Sequence, residues 1–354
     1  MAGENEQEAR ELARQIGADF GAALTVALAY IGDRMGIFKS LGEGGPMTSQ
    51  ELAERAGLNE RYVREWASTM AAARYVDYDA TSQKFRLTPA QSTALLDERS
   101  PFNMAGAFQY AVTCIRQLPR LSEAFRDGGG IPFADFGPEI SEAIRRMFQG
   151  GYESWVASQW IPAVAEVHQR VVDGGEVAEV GCGGGQCLIP VAAAYPKSRF
   201  TGYDVDAGSI ERARKHAVSQ GVAERVKFEQ AAAESIPDAD RFDLVMAFNC
   251  IHDMANPRGA LRAIRRALKP TGVLLWSEAK ASDRLEENLS TWGRSMYAAS
   301  TMHCMTVSLA HGGEGLGSVV GEGRARELAV DAGFSRFDLL GVKNPFHQIF
   351  VLRK

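Results

Sequence analysis

Residues 176–187 read EVAEVGCGGGQC, an apolar run followed by four glycines within five positions, with Cys182 and Cys187 bracketing the last three. Glycine at such positions lets the backbone adopt conformations closed to other residues and come close to a ligand. In an open α/β sheet, the turn after a strand's carboxyl end is where ligands bind. The two cysteines raise the alternative of a metal or redox site. They stand five positions apart without histidine partners, which is not the spacing of a zinc site. Cys182 therefore reads as a small residue of the turn, and Cys187 as the start of the helix behind it.

Downstream, strand-like and helix-like segments alternate. Strands are expected at Val177–Val180, Arg199–Asp204, Val226–Gln230, Phe242–Phe248 and Val273–Glu278. Helices are expected at Cys187–Tyr195, Ser209–Gln220 and about Pro257–Leu268. This alternation predicts a parallel doubly wound sheet. After a long insertion at roughly 281–320, FSRFDLLGVKNPFHQIFVLRK reads as two strands around a Lys343–Pro345 turn, an antiparallel hairpin. The predicted class is α/β, a Rossmann-like doubly wound sheet of seven strands closed by a C-terminal hairpin and preceded by a mainly helical winged-helix domain.

That domain is read upstream. Residues 7–40 look like a long helix, apolar almost all round at its centre, as for burial in a core or a subunit interface. Thr48 and Glu51 stand in capping-box spacing, Gly57 ends the helix they open, and Asn59 can cap a second running to about Arg74. Tyr75–Tyr78 and Lys84–Leu87 read as short strands around a polar turn, and Thr88–Pro89 starts another helix. The division expected is 1–100 as a winged-helix and dimerisation domain, 101–170 as a helical linker over the site, and 171–354 as the ligand-binding domain.

A winged helix suggests DNA binding, and the charges argue against it. Residues 1–100 hold eleven Lys/Arg and fifteen Asp/Glu, a net of −4, and Glu60 and Glu65 interrupt the arginines of the would-be recognition helix. Neutralising phosphates needs a basic face. The whole chain, 354 residues at a net −5, gives no electrostatic reason for a polyanionic partner. Five cysteines, irregularly spaced, do not describe a disulfide framework and point to a reducing cytoplasm. The acidic start MAGENEQEARELARQ lacks a signal-peptide pattern, and the apolar run Phe20–Gly32 is too short to span a bilayer.

Asp204 ends the second expected strand, 23 positions after Gly181. A carboxylate there suits the two hydroxyls of an adenosine ribose. The dinucleotide turn G-x-G-x-x-G would need glycine at 186, where Gln186 stands. Glu179, inside the first strand, would oppose a pyrophosphate and favour a cationic amino-acid portion. Together with the closing hairpin, these features favour S-adenosylmethionine over NAD.

VAEVGCGGG resembles motif I of the class I S-adenosylmethionine-dependent methyltransferases, GYDVD their acidic loop, and LKPTGVLL a later strand motif, over about 174–354. With its winged-helix front and the stretch MHCMTVSLAHGGEGLG, the chain resembles a bacterial and nematode family of regulator-like winged-helix methyltransferases, and is similar to dimeric small-molecule O-methyltransferases. The resemblance implies that Gly181, Gly183 and Gly185 line the methionine portion and Glu179 reaches its amino group. It further implies Asp204 on the ribose, Val205 against the adenine, Ala233 and Glu234 near its ring and amino group, and Asn249 near the sulfonium. Many relatives carry Asp where Ala232 stands, so Glu234 or backbone must replace that contact. A homodimer through the N-terminal domain is implied as well.

In FNCIHDMANP, His252 occupies the place of the general base of similar plant enzymes. Its alternative role is to cap the following helix or pack beneath the cofactor. His303 and Cys304 are second candidates. Adjacent positions lack zinc spacing, so no metal is expected, and Met302, His303 and Met305 read as a substrate-pocket wall. Phe148, Gln149 and Tyr152 in MFQGGYESW weakly match a pocket stretch of the plant-type enzymes. His168, His216 and His347 have no role in this reading. The function expected is methyl transfer to a small, largely apolar acceptor at oxygen. The alternatives are a DNA-binding regulator that senses S-adenosylmethionine, and a non-catalytic dimer scaffold.

Overall fold

The computed structural model describes residues 2–354, with side chains from Glu4 onward. The chain divides into two compact units. One comprises the chain up to Thr113 together with Glu142–Gly150, and the other Cys114–Ser141 together with Gly151–Lys354. The segment expected as a separate linker is thus shared between them.

In the first unit, α1 (Ala2–Arg34) is followed by α2 (Ile37–Gly44), α3 (Ser49–Ala56), α4 (Glu60–Ala72), a hairpin of β1 (Asp77–Asp79) and β2 (Lys84–Arg86), and α5 (Pro89–Leu95). The local signals read from sequence act as expected. Thr48 and Glu51 form a complete capping box, Gly57 ends α3 in the left-handed conformation, and Asn59 caps α4. Thr88 and Gln91 cap α5, with Pro89 in its first turn. Apolar residues at helical spacing, Phe38, Leu41, Leu52, Val63, Trp66 and Met70, close a single core. The helix expected over 7–40 differs. Gly36, at φ 69°, breaks it after Arg34, and residues 4–24 of α1 are exposed. Leu12, Ile16, Phe20 and Leu24 stand in the open, Phe20 67% exposed. By length and composition, Glu4–Arg34 is also long and apolar enough to cross a membrane.

The second unit is built on a seven-stranded sheet of order β5-β4-β3-β6-β7-β9-β8. Its strands are β3 (Glu176–Val180), β4 (Arg199–Asp204), β5 (Val226–Gln230), β6 (Phe242–Phe248), β7 (Leu268–Ala279), β8 (Arg336–Leu339) and β9 (His347–Arg353). The first five are parallel, and β9 runs antiparallel to both β7 and β8. Every residue of β6 is buried, the mark of a strand covered on both faces. Val245, Trp276, Phe350 and Leu352 hold the centre of the core. Order reverses at β3, which pairs with β4 on one side and β6 on the other. A crevice therefore opens past the carboxyl ends of β3 and β6. The hairpin loop is longer than the predicted turn, running from Leu340 to Phe346.

Candidate active site

The turn after β3 takes its shape from glycine. Gly181, Gly183 and Gly185 lie at φ 70°, 51° and 80°, where side chains are strained. A Cβ on Gly181 would also stand 2.7 Å from that of Cys250. The N–H groups of Gly181 and Cys182 donate to the carbonyl of Tyr203 at 2.8 and 3.1 Å, binding the turn to the end of β4. Asp204 completes it. Its Oδ2 accepts the N–H of Gly183 at 2.8 Å, and its Oδ1 that of Asp206 at 2.9 Å.

Behind the turn lies Glu179, 3% exposed. The backbone N–H of Leu188 and the Cys187 thiol beside its carboxylate favour the charged form. Oε2 is buried with no hydrogen-bond partner. An unpaired buried carboxylate oxygen disfavours charge, and burial pushes Glu179 up to about 8. Burial also raises Asp204, and it lifts Asp253 to about 6. A crevice lined by carboxyls in this condition favours a cationic ligand over a pyrophosphate. An ammonium would supply the donors that Glu179 Oε2 lacks, so these residues fit the methionine end of S-adenosylmethionine. Val205 is exposed beyond Asp204. Ala233 is buried in a short turn after β5, and Glu234 beside it is exposed.

Past β6, Asn249 adopts φ 50°, a conformation that asparagine tolerates better than most residues. Its side-chain Nδ2 lies 2.9 Å from Tyr152 Oη and 3.0 Å from His347 Nε2. His252 follows in a single 3₁₀ turn, 5% exposed. Its Nδ1 bonds Oε2 of Glu278, a fully buried residue of β7 whose Oε1 accepts the Trp276 indole N–H at 2.7 Å. The Cys304 thiol is a further neighbour. Burial opposes charge on the ring, and the Glu278 carboxylate outweighs it, holding His252 well above the usual histidine range.

The insertion after β7 is helical, with α6 (Thr291–Ala299) and α7 (Met305–Ala310) joined by a π-helical turn over Ser300–Cys304. Such turns re-aim side chains within a helix. His303, buried there, meets the rings of Phe133 and Phe136 at 5.8 and 4.9 Å. Burial, with the neighbouring His252, pushes it down to about 3. Met302 and Met305 flank it, half-buried. The loop beyond returns to the site, where the Gly317 N–H donates to the His252 carbonyl at 3.2 Å.

The structure therefore gathers Glu179, the three glycines, Asp204, Tyr152, Asn249 and His252 around the ends of β3, β4 and β6. Phe148 and Gln149 fall in the first unit. Sequence reasoning misses Glu278 and His347. Glu278 sits in an apolar strand whose facing direction no local pattern reveals, and His347 carries no motif. His347, taken from sequence as a residue without a role, is buried and bonded to Asn249.

Comparison with known proteins places residues 172–333 in the family described as a methyltransferase domain, and residues 22–97 in the Rv2258c-like winged HTH domain. A ubiquinone biosynthesis O-methyltransferase of Idiomarina loihiensis is 30% identical over 136 residues, 38% of this chain and 52% of that protein. The methyltransferase GfsG of Streptomyces halstedii is 29% identical over 168 residues, 43% of this chain and 59% of that one. The chain thus spans just over half the length of these relatives. Two solved structures resemble it along almost its whole length. Mitomycin 7-O-methyltransferase MmcR has a TM-score of 0.72 at 20% identity, covering 98% of this chain and 100% of its own. Human N-acetylserotonin methyltransferase, solved in complex with SAM, has 0.71 at 18%, covering 97% of each. At such identities they establish the shared fold. Residues 172–333 thus match a methyltransferase domain, and residues 22–97 before them a winged helix-turn-helix domain.

Proposed function

We propose that this methyltransferase-domain chain transfers a methyl group from S-adenosylmethionine to a small, largely apolar acceptor, at oxygen. One observation carries the reading: a buried, partnerless carboxylate oxygen of Glu179 beside a glycine turn tied to Asp204, with a His–Glu pair at the same sheet edge. When bound, S-adenosylmethionine supplies an electrophilic methyl on a sulfonium. Glu179 would hold its ammonium, Asp204 the ribose hydroxyls, Val205, Ala233 and Glu234 the adenine, and Asn249 the sulfonium region.

His252 is the base. Glu278 holds Nδ1, so the acceptor's hydroxyl proton passes to the other ring nitrogen, and the imidazolium formed is stabilised by the buried carboxylate. General base catalysis of this kind contributes about 10²–10⁴-fold. Burial holds His303 neutral, which suits a pocket wall. Phe133, Phe136, Met302 and Met305 around it make that wall apolar and adaptable. Calorimetric titration with S-adenosylhomocysteine, the methyl-transfer product, tests the cofactor reading. Wild type is expected to bind it and Asp204→Ala to bind at least tenfold more weakly, losing the charge-assisted bonds of one carboxylate. Equal binding by the two would remove its basis. A radiolabelled methyl-transfer screen over small molecules then finds the acceptor.

A homodimer through the first unit is part of this proposal. Leu12, Ile16, Phe20 and Leu24 recur every four residues on one exposed face of α1, the spacing of a helix that docks on a partner. The five cysteines are buried thiols, which fits a reducing compartment. The winged-helix domain keeps a DNA-binding regulator as the second reading. On α4, however, Arg61 pairs with Glu65 and Arg64 with Glu60, so its arginines are already engaged. No mobility shift of genomic fragments at physiological salt is expected.

A further inference from the structure

Asn249 stands at the mouth of the crevice, directly after β6, and its orientation is set from outside the methyltransferase motifs. Its backbone N–H donates to Ser277 of β7 at 2.8 Å, which fixes the main chain. Its side-chain amide then donates both hydrogens, one to Tyr152 Oη and one to His347 Nε2. With the nitrogen so engaged, the amide plane is fixed and its carbonyl oxygen is the group left to meet a ligand. A carbonyl dipole at this point suits a cation such as a sulfonium.

His347 is itself held in place. It opens β9 opposite Ala279 of β7. The Asn344 side chain accepts the backbone N–H groups of Phe346 and His347 at 2.9 and 2.8 Å, so the loop enters the strand in one register. Trp160 packs edge-on against the imidazole at 5.9 Å and against Phe248 at 5.3 Å. Accepting at Nε2 places the ring proton on Nδ1. Burial keeps the ring neutral, with a pKa near 4, so the acceptor persists at physiological pH. On the other side, Tyr152 is buried among Glu179 and the thiols of Cys187 and Cys250. The chain Asn344, His347, Asn249, Tyr152 therefore runs from the closing hairpin to the glycine turn.

From this geometry we infer that His347 is a positioning residue for the cofactor, holding the Asn249 amide so that its carbonyl faces the ligand, and that the closing hairpin is part of the cofactor site. The inference rests on the S-adenosylmethionine reading above.

The test is calorimetric titration of the full chain with S-adenosylhomocysteine and S-adenosylmethionine, for wild type, Asn249→Ala, His347→Phe, His347→Gln and the Asn249→Ala/His347→Phe double variant. Losing one oriented hydrogen bond predicts about five- to tenfold weaker binding in His347→Phe. His347→Gln, which keeps an acceptor, is expected to stay within about twofold of wild type on the same grounds. The double variant is expected to bind no more weakly than Asn249→Ala alone, because His347 acts only through that amide. Wild-type affinity in His347→Phe, no recovery in His347→Gln, or multiplied losses in the double variant would overturn the inference. Should His347→Phe fail to fold, as judged by its melting curve, His347→Leu takes its place in the cycle with the same expectations. Side-chain ¹⁵N spectra of the ligand-free chain give a separate reading. The Nδ1–H tautomer of His347, with an Nε2 shift that changes in Asn249→Ala, is expected, and the Nε2–H tautomer would overturn it. A wild-type chain that binds neither ligand while showing the Nδ1–H tautomer would instead overturn the S-adenosylmethionine reading, and the positioning role with it.

Discussion

Glu179 and His252 carry protons that their surroundings have moved in the same direction, and each makes a measurable claim. Protonated in the free protein below about pH 8, Glu179 must ionise when a ligand ammonium settles on its unpartnered oxygen. Binding at pH 7 should therefore release close to one proton, seen as a dependence of binding enthalpy on buffer ionisation enthalpy. Glu179→Gln should abolish the release and weaken affinity. For His252, the raised pKa means that the neutral, base-competent ring accumulates only above the ordinary histidine range. Methyl transfer should accordingly rise with pH through that raised value. Removing the Glu278 charge in Glu278→Gln should move the rise to lower pH and lower the plateau. His252→Ala should cost about 10²-fold or more in kcat with cofactor affinity little changed.

At the scale of elements, the glycine turn separates conformational from steric demand. Gly181→Ala forces a side chain into a left-handed conformation and against Cys250, and should destabilise the second unit by about 2–4 kcal/mol in denaturant titration. Gly184 has no such conformation, and a Cβ there would meet only Gln186 at 3.7 Å. Gly184→Ala should leave folding unchanged within about 0.5 kcal/mol. The difference explains what was legible in the sequence. Capping boxes, the glycine turn and the acid at the end of β4 are local, so Thr48, Glu51, Gly181 and Asp204 announce themselves by spacing. Glu278 lies 26 residues from His252, and His347 98 from Asn249. Both reach the site through strand pairing, and a strand buried on both faces has no alternation to show which way a side chain points. The π turn that presents His303 is equally silent, because it arises from packing.

For the whole molecule, two buried histidines set an acid limit. His303 and His347 have folded pKa values lowered to about 3 and about 4, so between these and the ordinary value the unfolded chain binds more protons. The stability these two neutral rings contribute should be lost as pH drops from about 6.5 toward 4, so His347→Gln should flatten that part of the pH dependence of the melting temperature relative to wild type. Through the proposed homodimer, the exposed stripe on α1 should add a concentration-dependent component. Ile16→Glu with Phe20→Glu should shift sedimentation equilibrium from dimer to monomer, with a melting temperature that no longer rises with protein concentration. The residue pattern announces the winged helix and the sheet, whereas the exposure of residues 4–24 of α1 depends on what packs against the helix, which composition alone does not reveal.

Trp276 adds a consequence of another kind. It is fully buried in β7, and its indole N–H is bonded to the same carboxylate that grips His252. Taking away that donor concentrates the carboxylate's hydrogen bonding on the imidazole while touching no ligand. A Trp276→Phe variant should thus act as a remote tuner, driving the working pH of the enzyme upward with its acceptor preference intact. A lineage that needed to adjust its proton chemistry to a new cellular pH could do so from the core, leaving the pocket free to vary for other reasons.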